Sequence, residues 1–79
     1  MRNLAQVIDS IIAEIPSNHF DLHSLVDGLN SVKDSFAYTS PETVGLRWKQ
    51  AALLLHDYMG DPPFDEDWKE KVYNIWMNT

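Results

Sequence analysis

Residues 39–63 read TSPETVGLRWKQAALLLHDYMGDPP and carry a helix signature from start to stop. Thr39 and Ser40 offer hydroxyl caps, Pro41 stands in the first turn where its missing N–H does no harm, and Glu42 is placed to reach back in a capping box. Val44, Trp48, Ala51, Ala52, Leu55, Tyr58 and Met59 then recur at the spacing of one helix face. Gly60 supplies a left-handed stop and Asp61-Pro62-Pro63 a break, so the pattern predicts one long helix over about 41–59.

The flanking sequence repeats this logic. Leu4, Val7, Ile8, Ile11, Ile12 and Ile15 form one stripe that Pro16 must end, which predicts a helix over about 3–15. Leu22, Leu25, Val26, Leu29, Val32 and Phe36 mark a second over about 19–36, with Asn18 or Asp21 as its cap. Gly28 interrupts that helix off its stripe, a place for a kink. Trp68, Val72, Ile75 and Trp76 define a last helix over about 66–77, capped by Asp65, with Glu66 and Asp67 at the positive end of its dipole. The expected fold is all-α: a small bundle of four helices with short loops, residues 1–79 forming a single domain with antiparallel neighbours.

Composition narrows the function. A chain of 79 residues buries only about 60% of the surface it exposes when unfolded. Its 44% apolar content and nine Phe, Tyr and Trp residues still suffice for one core. With no cysteine, a disulfide framework, thiolate metal site or Cys nucleophile is excluded. Asp9 and Glu14 interrupt any apolar leader, and the run Ala51–Leu55 is far short of the roughly 20 residues that cross a bilayer. A cytoplasmic protein without a membrane span is the expectation.

Two helices carry more apolar surface than one core needs. Stepping about 100° per residue puts Leu46 and Leu53 opposite the main stripe of the third helix, among Lys49, Gln50, His56 and Asp57. Tyr73 and Met77 similarly fall away from the stripe of the last helix. Either the third helix is central, with the first two on one side and the last on the other so that both of its faces are buried, or these four residues form a homodimer seam or partner-binding patch.

The formal net charge is −6, with six Lys and Arg scattered along the chain, which disfavours direct contact with phosphates. A helix-turn-helix formed by the second and third helices, with Arg47 and Lys49 entering the groove, is the competing reading. Asp27 and Asp34, with Asp57, Asp61, Asp65, Glu66 and Asp67, would instead present a negative surface to a basic partner; a solvated face is the plainer account.

The chain carries no complete catalytic signature. His19 and His23 stand four apart, a spacing that can share a metal, but the Glu of an H-E-x-x-H motif is missing. The acids from Asp61 to Asp67 lack the spacing of a calcium loop. There is no G-x-S-x-G elbow and no Gly-rich phosphate loop. The expectation is therefore a non-enzymatic protein with no cofactor, a small acidic protein-protein interaction module that inhibits or regulates a larger partner by occupying a basic or apolar surface. A phage- or mobile-element-type inhibitor of a nucleic-acid-handling enzyme is an example.

Overall fold

The computed structural model describes residues 3–16 and 20–78. Among these the chain forms helices α1 (Leu4–Glu14), α2 (His23–Phe36), α3 (Val44–Met59) and α4 (Asp67–Met77), with 3₁₀ turns at Phe20–Leu22 and Pro41–Thr43 and no strand. The all-α bundle expected from periodicity is the observed fold.

α1 begins at Asn3, whose Oδ1 accepts from the backbone N–H of Ala5 at 2.8 Å and of Gln6 at 3.4 Å. It stops where expected: Ile15, ahead of Pro16, turns to an extended φ of −77° and ψ of 127°. Leu4, Ile8 and Ile11 are fully buried and Val7 nearly so. α1 packs on both α2 and α4, α2 packs on both α1 and α3, and buried side chains of all four helices join one core. The long α3, which packs chiefly on α2, is not the central element. The short hydrophobic α1 has a nearly continuous apolar face to offer two neighbours, whereas α3 mixes Lys49, Gln50, His56 and Asp57 into its outer half.

α2 runs unbroken through Gly28. A Cβ at this position would stand 3.2 Å from both terminal methyls of Leu54, so α2 and α3 approach closely at Gly28. No kink forms there, and the missing side chain leaves room for Leu54. At the α2–α3 corner, the Thr39 hydroxyl donates to the Ser35 carbonyl at 2.6 Å and accepts from Arg47 Nε at 3.0 Å.

The helix starts differ from the expected caps. Asn18 lies outside the described residues, Asp21 sits in a 3₁₀ turn, and Leu22 precedes α2 with no side-chain cap. The Pro41–Thr43 turn precedes α3, and neither Ser40 nor Thr43 caps a backbone N–H with its side chain; the Ser40 hydroxyl lies 3.2 Å from that of Thr43 instead. Pro41 sets φ for a tight first turn, which closes as 3₁₀ before the helix widens. Glu66, not Asp65, holds the cap position of α4. Gly60 ends α3 at φ 73° and ψ −156°, backbone that only glycine adopts without strain, and its N–H reaches the His56 carbonyl at 2.8 Å.

The close approach at Gly28 is testable. Gly28→Ile should destabilise the protein by about 1–3 kcal/mol, the usual cost of overpacking, as read by urea unfolding. In a Leu54→Ala background the same substitution should cost measurably less.

Candidate functional site

α3 packs chiefly on α2, and α4 on α1. α3 and α4 meet through Trp48 and Trp76, whose ring centroids lie 5.5 Å apart at 52°. Beyond that contact a groove of about 240 Å³ opens between them. Ala52, Leu55 and Met59 line it from α3, and Tyr73, Trp76 and Met77 from α4. Gly60, Asp61 and Pro62 close one end.

The connection between α3 and α4 is pinned by side chains. Trp68 Nε1 donates to Glu66 Oε2, and Phe64 packs against Tyr73 with ring centroids 5.3 Å apart. Lys69 Nζ donates to Asp65 Oδ1 at 3.1 Å. That hydrogen bond, with a backbone contribution and the attraction of the ammonium, holds the Asp65 carboxyl below its ordinary pKa. At the groove end, His56 Nε2 lies 3.1 Å from Asp61 Oδ1.

The four apolar residues singled out from the sequence fall in two places. Leu46 and Leu53 are exposed, at 52% and 55%, on the outward side of α3, so the arrangement in which both faces of α3 are buried does not occur. Met77 is 60% exposed at the groove. Tyr73 is half-buried, since Phe64 folds back over it from the connecting segment, a contact that helical stepping within α4 has no means to show. Tyr73 and Met77 share the groove; Leu46 and Leu53 are not among its lining residues.

Among the acids, Asp27, Asp34, Asp57, Asp61, Asp65 and Asp67 are exposed. Glu66 is half-buried and engaged by the Trp68 indole, so it is part of the structure of the connection more than of an open surface. Asp9 accepts from Lys33 at 2.7 Å, tying α1 to α2.

The remaining candidates fare differently. Arg47 is half-buried and committed to Thr39 and, at 2.9 Å, to Gln50 Oε1, which leaves exposed Lys49 to represent the expected basic face. His19 lies outside the described residues, and His23 packs against exposed Phe20 with ring centroids 5.5 Å apart. No group of three or more His, Asp or Glu side chains suited to a metal occurs among the described residues. No described helix is long and apolar enough to cross a membrane. The groove itself escaped sequence reasoning, although Met59 beside the Gly60 stop, with Tyr73 and Met77 off the main stripe of α4, was its available trace.

No protein-family model matches the chain, and no curated protein or solved structure gives a match.

Two measurements test this description. Leu55→Ala, which truncates a buried side chain, should cost about 2–5 kcal/mol, whereas Leu53→Ala on the outer face should stay within about 0.5 kcal/mol. A carboxyl whose pKa is depressed by folding contributes stability that is present at neutral pH and lost as pH falls through its folded value. Lys69→Gln should therefore raise the Asp65 titration midpoint toward the ordinary carboxylate range, as followed by NMR of its side-chain carboxyl.

Proposed function

We propose that this chain is a small acidic protein-protein interaction module, acting in the cytoplasm without catalysis, which inhibits or regulates a larger protein by occupying a basic or apolar surface. The observation that carries this reading is the large apolar surface left uncovered on α3 and α4. Leu46, Leu53 and Met77 each keep more than half of their surface in water, Met77 in a groove with an apolar lining. A domain this small gains most of its stability from burial, so large side chains held outside the core point to a contact made elsewhere.

Charge supports a partner of opposite sign. With a net charge of −6, and with Asp57 and Asp61 exposed near the ends of these surfaces, a basic protein would be steered toward the molecule and a nucleic acid repelled. The commitment of Arg47 to Thr39 and Gln50 weighs against a helix-turn-helix reading.

The test compares tagged wild type with Leu46→Glu/Leu53→Glu and with Met77→Glu, each checked for helical circular dichroism, in native lysate and in analytical ultracentrifugation. One larger protein retained at fixed stoichiometry by wild type and lost by at least one variant is expected. A monomer that retains nothing beyond what the variants retain removes the proposal.

A further inference from the structure

The groove between α3 and α4 has a size, lining and charge that select among occupants. At about 240 Å³ it lies below the roughly 300–1,000 Å³ typical of sites that enclose a whole small molecule, and suits one or two side chains of a larger binder. Its walls are two helices, the arrangement that receives the apolar face of a third. Met59 and Met77 stand on opposite walls, and unbranched, polarisable thioethers adapt to anchors of differing shape.

Its lining holds one carboxylate, Asp61, with His56 Nε2 at 3.1 Å from Oδ1. No Lys or Arg lines the groove, and Asp61 lines its end. The connection from Asp61 to Asp67 holds four carboxylates and no cation. Two of the four are answered within the fold: Asp65 by Lys69 and Glu66 by the Trp68 indole. Asp67 is exposed, and Asp61 is 82% exposed with only a histidine beside it. An occupant bringing its own carboxylate would meet this end unfavourably, whereas one bringing an ammonium or guanidinium would be steered to it.

We infer that the groove is the docking site for a cationic amphipathic helix of a partner protein, with an apolar anchor seated among Met59, Tyr73, Trp76 and Met77 and a neighbouring Lys or Arg facing Asp61. The inference rests on the interaction role proposed above and specifies which surface acts and what it receives. The outer ridge of Leu46 and Leu53 is then not the primary contact.

The probe is a synthetic Leu/Lys amphipathic helix, titrated into isotopically labelled protein and followed by amide and methionine-methyl NMR. A peptide with the same Lys residues but Ser for every Leu, and one with Glu for every Lys, serve as controls. Saturable shifts centred on Met59, Tyr73, Trp76 and Met77 are expected for the Leu/Lys helix, with binding at least about tenfold weaker for both controls. Ala52→Leu, which fills the groove without changing charge, and Asp61→Asn, which removes the rim carboxylate, should each weaken it by about tenfold or more. Should Ala52→Leu disturb the fold, Met77→Ser takes its place.

Shifts centred on Leu46 and Leu53 would overturn the groove assignment while leaving the interaction role in place. Equal binding of the Ser-for-Leu peptide would overturn it as mere charge attraction. Groove shifts that depend on protein concentration without any peptide would assign the site to a second copy of this chain and overturn the inference. Absence of peptide binding would also overturn it, and failure of the partner-capture experiment as well would remove the interaction role.

Discussion

One face of α1 has to be covered from two sides. Leu4, Ile8 and Ile11 lose all contact with water only because α2 and α4, far apart in the chain, both close on them. Each such side chain contributes on the order of 2 kcal/mol when taken out of water. No disulfide supplements that burial. The Lys33–Asp9 ion pair lies at the edge of this contact, where solvent screens it, and adds little beside the apolar term.

α3 packs chiefly on α2, and Gly28 lets it approach until the Leu54 methyls fill the space a side chain would take. Ala51 and Leu55 complete the core from its inner side. Its outer side, with Leu46 and Leu53, has no remaining helix to cover it.

α3 and α4 are held chiefly by different partners and meet through the Trp48–Trp76 contact, and the groove lies between them next to the connection that joins them. Phe64 on Tyr73 and the Trp68 indole on Glu66 keep that connection folded against α4, while Asp61 at the end of the groove stays in water. An apolar slot ending in an exposed carboxylate suits the proposed role, in which burial would supply affinity and charge would supply orientation.

Four helices, their approximate extents and their buried stripes were legible in the sequence, because 3.6-residue periodicity, Pro16 and the Gly60-Asp61-Pro62-Pro63 break act through the chain's nearest neighbours. The outward azimuth of Leu46 and Leu53 was legible for the same reason. Whether a further helix would cover them was not, since this depends on which helix becomes central, a competition among apolar faces distant in sequence. The expected caps gave way where a side chain found another partner: Thr39 turned to Ser35 and Arg47, and Asp65 to Lys69. Local sequence settled what each segment is, because helix formation rests on hydrogen bonds four residues apart. Tertiary structure alone decided that α1 and α2 each pack on two helices, that Gly28 is a contact point and that a groove lies between α3 and α4, because those depend on packing between faces that no local pattern can rank.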